Sequence, residues 1–139
     1  MVPKLSAGGK VAVKPTVSSI LIVEDDKDVA HIIKDVIDAQ GYRGIVVTNG
    51  RDALGVLEEE RPALMLIDLF MPVMSGAELL KIIKRNPQLA DIPRVIMTAA
   101  NDQMIGVRED VPVLYKPVDF EALTRLLHQF CGPARARSR

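Results

Sequence analysis

Residues 63–68 read Ala63-Leu64-Met65-Leu66-Ile67-Asp68, five apolar residues in succession followed by a carboxylate. A short, continuous apolar run is typical of a strand that is covered on both faces of a sheet. Comparable runs, most of them rich in β-branched residues or Leu, occur at Ile20–Val23, Ile45–Val47, Val95–Met97 and Val111–Tyr115. Because proline cannot donate to a strand ladder, Pro112 indicates that the last of these is an edge strand.

Stretches with helical spacing separate the strands. The apolar residues of these stretches recur at intervals of three and four, in groups at Val29, Ile32, Ile33, Val36 and Ile37 (closed by Gly41), at Ala53, Leu54 and Leu57, at Leu79, Leu80, Ile82 and Ile83 (ending before Pro87), and at Phe120, Leu123, Leu127 and Phe130 (with Asp119 as N-cap). The stretch from Ala100 to Asp110 is the weakest candidate helix, since it has few residues to bury. Strands that alternate with helices predict an α/β fold, a doubly wound parallel sheet of five strands with helices on both faces.

Length and composition restrict the class of protein further. The chain has 139 residues, 48% of them hydrophobic, and a formal net charge of zero, so we expect one domain and neither a nucleic acid nor an anionic membrane as partner. Cys131 is the only cysteine, and no apolar run has the length of a membrane span or of a secretory signal. We expect a cytoplasmic protein with a flexible leader at residues 1–18, a domain at residues 19–131 and a basic flexible tail at residues 132–139.

Polar reactive side chains lie at the ends of the predicted strands: Glu24, Asp25, Asp68, Thr98 and Lys116. In open α/β sheets the ligand site lies outside the carboxyl ends of the strands, at the switch point in strand order. For a flavodoxin-like sheet in the order 2-1-3-4-5, that point lies between strands 1 and 3. We therefore expect the three carboxylates to share one crevice with the hydroxyl and the ammonium group.

These groups suit phosphoryl transfer. Carboxylates packed together raise each other's pKa unless a cation joins them, and an all-oxygen ligand set favours Mg²⁺. Asp68 could then attack phosphorus as a nucleophile, while Lys116 pairs with one phosphoryl oxygen and Thr98 donates a hydrogen bond to another.

Four segments in this order resemble the receiver domains of two-component response regulators: Ile20-Leu21-Ile22-Val23-Glu24-Asp25-Asp26, Leu66-Ile67-Asp68-Leu69-Phe70-Met71-Pro72 with Gly76, Ile96-Met97-Thr98-Ala99, and Tyr115-Lys116-Pro117. The resemblance covers about residues 19–131. It implies that Asp68 is the phosphoacceptor, served by a sensor histidine kinase or a histidine phosphotransfer protein. It implies a metal site for Mg²⁺, which Mn²⁺ could replace, built from Glu24, Asp25, Asp68 and the backbone carbonyl of Phe70. Asp26 is expected to lie outside the metal ligands.

The resemblance also implies a signalling protein rather than an enzyme, with a frequently cis Lys116–Pro117 peptide. We expect a stand-alone regulator, monomeric or homodimeric, that acts on an unidentified downstream protein without binding DNA. Phe70 and Ala100 would border the path of the water that hydrolyses the phosphorylated Asp68. Neither offers that water a general base, so we expect slow dephosphorylation, with Phe70 as the main shield.

Two departures from the family pattern concern the output surface. Val113 stands three residues before Lys116, where the family usually has an aromatic residue that moves inward on phosphorylation. Tyr115 lies on the same side of that strand and could take part of this role. The segment from Thr98 to Lys116 is also about one helical turn shorter than usual.

Three other classes of protein share parts of the pattern. A phosphohydrolase of the haloacid dehalogenase-like kind would have its nucleophile after strand 1, where Asp25-Asp26-Lys27-Asp28 fits poorly and Asp68 would be unexplained. A flavodoxin would need a Ser/Thr-rich phosphate loop after strand 1. A receiver that only docks a partner, without using a phosphoryl group, has the same sequence pattern.

Overall fold

The computed structural model describes residues 17–99 and 111–133. Within them lie five strands, β1 (Ser19–Val23), β2 (Arg43–Val47), β3 (Leu64–Asp68), β4 (Arg94–Ala99) and β5 (Val113–Lys116), and four helices, α1 (Lys27–Ala39), α2 (Gly50–Leu57), α3 (Gly76–Arg85) and α4 (Phe120–Cys131). The candidate helix from Ala100 to Asp110 lies outside the described residues, as do most of the predicted leader and tail.

All strand pairs are parallel, in the order β2-β1-β3-β4-β5. The predicted α/β fold and strand order are therefore confirmed, with β5 at an edge. β5 begins at Val113, two residues later than the apolar run, because Pro112 has no N–H to donate; its carbonyl instead accepts a 3.0 Å hydrogen bond from Ile96.

Alternate residues of the strands fill two apolar layers, one on each face of the sheet. On one face α1 and α4 pack over Ile20, Ile22, Leu64, Leu66 and Leu114, and on the other α2 and α3 pack over Leu21, Val23, Met65, Ile67 and Ile96. We call these the α1/α4 face and the α2/α3 face. Each central strand is covered on both sides, which explains why its sequence is apolar without alternation.

Side chains at the helix ends set where the helices start. Asp26, Asn49, Ser75 and Asp119 are the N-caps, and each accepts hydrogen bonds from backbone N–H groups of the first turn. Ser75 and Glu78 form a reciprocal capping box at α3. Gly41 follows α1 with a φ of 93°, a conformation that a Cβ disfavours, so the predicted end of this helix is confirmed.

Three members of the predicted apolar stripes lie outside the core. Ile32 is 50% exposed, Ile82 38% and Phe120 44%. The buried positions of α1 are Ala30, Ile33 and Ile37, so only part of its apolar stripe is covered. A residue at the margin of the stripe therefore faces solvent although its spacing fits.

Across residues 17–99 and 111–133, none of the helices combines the length and the apolar character that crossing a membrane requires.

Candidate functional site

The predicted site residues converge at the carboxyl ends of the strands. Glu24 and Asp25 follow β1, Asp68 is the last residue of β3 and Lys116 is the last residue of β5. Glu24 and Asp68 are two residues beyond the buried Ile22 and Leu66, so they leave the sheet toward the α1/α4 face. Parallel pairing of β1 with β3 puts these two strand ends side by side.

The ammonium group of Lys116 bridges two buried carboxylates. Its Nζ atom lies 2.7 Å from Oε1 of Glu24 and 3.2 Å from Oδ2 of Asp68. Glu24 is fully buried and is fixed by its backbone N–H, which donates to the carbonyl of Val47 at 3.0 Å. The second oxygen of Glu24, Oε2, accepts the N–H of Asp26 at 3.1 Å. Glu24 is therefore held in place by the backbone of β2 and by that of the turn before α1.

The pKa values of Asp68 and Lys116 are both raised, for different reasons. Desolvation first, and then the nearby Glu24 carboxylate, raise the pKa of Asp68 to about 7, although Lys116 acts in the opposite direction. Desolvation lowers the pKa of Lys116, but the contacts with Glu24 and Asp68 outweigh it and raise that pKa above its usual value. The two carboxylates thus favour the charged form of Lys116, whereas burial and the Glu24 carboxylate favour the neutral form of Asp68.

Glu24, Asp25 and Asp68 offer three carboxylate oxygens that all lie within 4.8 Å of one another. Asp25 is exposed and the other two are buried, so the cluster opens to solvent on one side. Hard oxygen donors with excess negative charge fit Mg²⁺, which keeps several waters and takes few protein ligands. The donor set therefore suits the predicted metal.

Phe70 follows Asp68 in the loop after β3. Its backbone N–H donates to Oδ1 of Asp68 at 3.3 Å, so its peptide lies beside the carboxylate, and its side chain is 51% exposed. That the Phe70 carbonyl is a metal ligand stays a prediction.

Asp26 has a different task from the two acidic residues before it. Its Oδ1 atom accepts the N–H groups of Asp28 and Val29, at 3.0 Å and 3.2 Å, and so caps α1. These contacts account for a third consecutive carboxylate at the strand end without assigning it to the metal.

Thr98 lies at the same edge of the sheet, one residue beyond Met97, the register partner of Asp68. It is 1% exposed. Its own register partner is Tyr115 of β5, and the side chains of register partners on parallel strands point to the same face of the sheet. That the Thr98 hydroxyl contacts a phosphoryl group stays a prediction.

Val113 and Tyr115 share a side of β5, as their spacing of two predicts. Val113 is half-buried against the core of the α2/α3 face, whereas Tyr115 is 55% exposed. The exposed ring next to Thr98 is therefore the aromatic group of β5 that has room to change position.

Two residues near Asp68 have structural roles that sequence reasoning missed. A Cβ on Gly76 would lie 2.1 Å from the carbonyl oxygen of Asp68, so α3 can pack on the end of β3 only with glycine there. The Ser75–Glu78 capping pattern is a sequence signal for this helix start. Val73 has a φ of 69°, which β-branched residues strongly disfavour, and nothing in the local sequence indicates it.

Comparisons with known proteins agree with this geometry. Residues 20–128 match the family model described as the response regulator receiver domain. The polar-differentiation response regulator DivK of Brucella anthropi is 40% identical over 120 residues, which cover 84% of this chain and 98% of DivK.

Solved structures with the same fold include two receiver domains of histidine kinases. One, from Syntrophus aciditrophicus, is 29% identical with a TM-score of 0.75, over 88% of this chain and 97% of that one. The other, from the sensor histidine kinase PA1611 of Pseudomonas aeruginosa, has a magnesium ion coordinated in its active-site cleft. It is 25% identical with a TM-score of 0.76, over 84% of this chain and 99% of that one.

Proposed function

Because this chain belongs to the response regulator receiver domain family, we propose that Asp68 accepts the phosphoryl group and that Glu24, Asp25 and Asp68 bind Mg²⁺. The observation that carries the proposal is the cluster of these three carboxylates within 4.8 Å, with the Lys116 ammonium in contact with two of them. The protein is a signalling phosphoacceptor of two-component systems rather than an enzyme with free turnover.

In the proposed reaction an oxygen of the Asp68 carboxylate attacks the phosphorus of a phosphohistidine. The new O–P bond forms as the P–N bond breaks, and the imidazole nitrogen that leaves retains the electron pair and takes up a proton. Asp68 must be ionised to attack. Lys116 already lies 3.2 Å from Oδ2 of Asp68, so its ammonium can pair with an oxygen of the incoming group. Thr98 and the Phe70 carbonyl complete the proposed site.

Bound Mg²⁺ would neutralise charge on the transferring group and on the carboxylates. Mn²⁺, with the same preference for oxygen ligands, could replace it. The ligands that we propose for the metal are the carboxylates of Glu24, Asp25 and Asp68 and the backbone carbonyl of Phe70.

A histidine kinase is the partner that the family implies, and a histidine phosphotransfer protein could serve instead. The similarity to DivK over almost its whole length supports a regulator that works as a single receiver domain. The free thiol of Cys131 fits a reducing compartment, and we place the protein in the cytoplasm.

Labelling with radioactive acetyl phosphate tests the proposal. Wild type should acquire an acid-stable, base-labile acyl phosphate, and Asp68→Asn should acquire none, because an amide is too weak a nucleophile. Asp26→Asn is the matched control. It removes a carboxylate only two residues from Glu24, yet asparagine is an equally good N-cap for α1, so labelling should be unchanged. Equal label on Asp68→Asn and wild type would place the phosphoacceptor elsewhere.

A further inference from the structure

The loop after β3, residues 69–75, carries Phe70, and a hydrogen bond joins its two ends. The N–H of Gly76, directly after the loop, donates to the carbonyl of Leu69, its first residue, at 2.9 Å. In its middle, the N–H of Met74 donates to the carbonyl of Pro72 at 2.8 Å around Val73, whose φ is 69°. This is a γ-turn of the strained, positive-φ kind. The strain has to be offset by contacts that hold Met74 where it lies.

The contact that holds Met74 comes from the first residue of α2. The N–H of Gly50 donates to the carbonyl of Met74 at 3.2 Å, and so satisfies one of the free N–H groups at the helix start. The Met74 side chain lies directly over the α-carbon of Gly50. A Cβ there would be 2.8 Å from Cγ, 2.9 Å from Sδ and 3.0 Å from Cβ of Met74.

Position 50 requires glycine because a Cβ would not fit beside Met74, and not because of its backbone conformation. The described glycines with positive φ are Gly41 and Gly132, so Gly50 has a backbone that alanine could also adopt. A buried glycine at the start of α2 is therefore explained by the close approach of Met74.

The segment that precedes Gly50 also contacts Glu24, another residue of the candidate site. Val47, three residues earlier, accepts the backbone N–H of Glu24 at 3.0 Å. The segment from Val47 to Gly50 thus contacts the backbone of Glu24 at one end and the Phe70-bearing loop at the other. It links the two strand ends that supply the carboxylates without contributing a carboxylate itself.

We propose that Gly50 and Met74 are positioning residues for the metal site, through a packed contact that fixes the Phe70 loop relative to Glu24. The proposal rests on the proposed function, since it takes Glu24 and the Phe70 carbonyl to be parts of that site. Mg²⁺ demands nearly ideal octahedral geometry, so a displacement of a few tenths of an ångström in one ligand weakens binding. Residues that orient metal ligands typically account for about 10- to 100-fold in affinity.

Calorimetric titration with Mg²⁺ alone tests this on the full chain. Gly50→Ala should weaken Mg²⁺ binding about tenfold, because the new methyl group displaces Met74 and its loop. Met74→Ala should weaken it less than Gly50→Ala does, because the loop loses its packed contact while it keeps the Gly50 hydrogen bond. The double variant should bind as Met74→Ala does, since the methyl group at position 50 then has room. This recovery relative to Gly50→Ala would assign the loss of affinity to the clash with Met74.

Two variants in α2 serve as controls. A Cβ on Gly55 meets nothing within 4 Å, so Gly55→Ala adds the same methyl group to the same helix without a clash. Leu57→Ala removes a partly buried side chain from the same apolar layer, away from the loop. Both should bind Mg²⁺ as wild type does.

The outcomes separate the two proposals. Failure of wild type to bind Mg²⁺ would contradict the proposed function. Normal binding by wild type with unchanged affinity in both Gly50→Ala and Met74→Ala would overturn the positioning role alone. Should Gly50→Ala not fold, the comparison of Met74→Ala with Leu57→Ala decides: equal affinities contradict the proposal, and a loss confined to Met74→Ala supports it.

Discussion

The Nζ atom of Lys116 lies 3.2 Å from Oδ2 of Asp68, yet this ion pair leaves the pKa of Asp68 raised, at about 7. Burial of the carboxyl group and the neighbouring Glu24 carboxylate together outweigh one ammonium group. Near neutral pH the metal-free site therefore favours the protonated form of Asp68 more than water does, whereas the proposed reaction needs the carboxylate. A bound divalent cation would remove this conflict, because it favours the charged form.

The first prediction concerns stability and pH in the absence of metal. The pKa of Asp68 rises from 3.8 in the unfolded chain to about 7 in the folded protein, so the folded state binds the proton more tightly. The resulting stabilisation is complete below the unfolded pKa and is lost as the pH rises through about 7. In chelator, Asp68→Asn should therefore be more stable than wild type above about pH 8, by at most about 4 kcal/mol, and much closer to it near about pH 4.

Urea unfolding at the two pH values, with and without Mg²⁺, measures this difference. Saturating Mg²⁺ should raise the unfolding free energy of wild type and leave Asp68→Asn nearly unchanged. A difference between the two proteins that does not vary with pH would show that the Asp68 carboxyl titrates normally.

The second prediction concerns the metal. Labelling by acetyl phosphate should require Mg²⁺ or Mn²⁺ and disappear in excess chelator. Asp25→Asn should lower Mg²⁺ affinity at least about tenfold, since it removes one anionic oxygen ligand while this exposed side chain leaves the core intact. Asp28→Asn, an exposed acidic residue in the first turn of α1, is the control for net charge. Comparable losses in both variants would assign the effect to long-range charge rather than to ligation.

The third prediction concerns the lifetime of the phosphorylated protein. Phe70 follows Asp68 by two residues, and a phenyl ring that covered the carboxylate would occupy space and offer the attacking water no hydrogen bond, so we expect spontaneous dephosphorylation to be slow. Phe70→Asn should accelerate the loss of phosphate several-fold, as measured by release of radioactive phosphate after the donor is removed. Ile82→Asn, which changes a partly exposed apolar side chain on α3, should leave the rate unchanged. Equal rates for wild type and Phe70→Asn would mean that the exposed ring does not screen the phosphoryl group.

The fourth prediction concerns the γ-turn at Val73, whose side chain is 70% exposed at a φ of 69°. An L-residue with this backbone costs about 1–2 kcal/mol, of which the larger conformational entropy of unfolded glycine cancels about half. Val73→Gly should therefore raise the unfolding free energy by about 0.5–1 kcal/mol. Val73→Ala keeps the Cβ and most of the strain, and should gain little. A glycine variant that is less stable than the alanine variant would contradict the assignment of strain.

Local pattern was enough to predict the strands and the strand ends at which Glu24, Asp25, Asp68 and Lys116 lie, whereas the strand order was taken from the flavodoxin-like class of fold. The predicted strands and strand ends depend on short apolar runs and on a polar residue directly after them. The exposure of Ile32 was not predictable, because the width of a helix's contact with the sheet depends on its neighbours rather than on its own spacing. The contact of Met74 with Gly50 was also not predictable from the sequence, since only the folded loop brings these two residues together.

The close packing of Gly76 on Asp68 limits the directions in which the end of β3 can move. With 2.1 Å between the site of a Cβ on Gly76 and the carbonyl oxygen of Asp68, the main chain at the end of β3 cannot yield toward α3. If Asp68 carries the proposed phosphoryl group, we expect its added charge to be accommodated by displacement of the neighbouring strand ends, in β4 and β5. Thr98 of β4 and Tyr115 of β5 are register partners at these strand ends, and Tyr115 is exposed. We therefore expect Gly76 to keep the start of α3 in place while the ends of β4 and β5 respond.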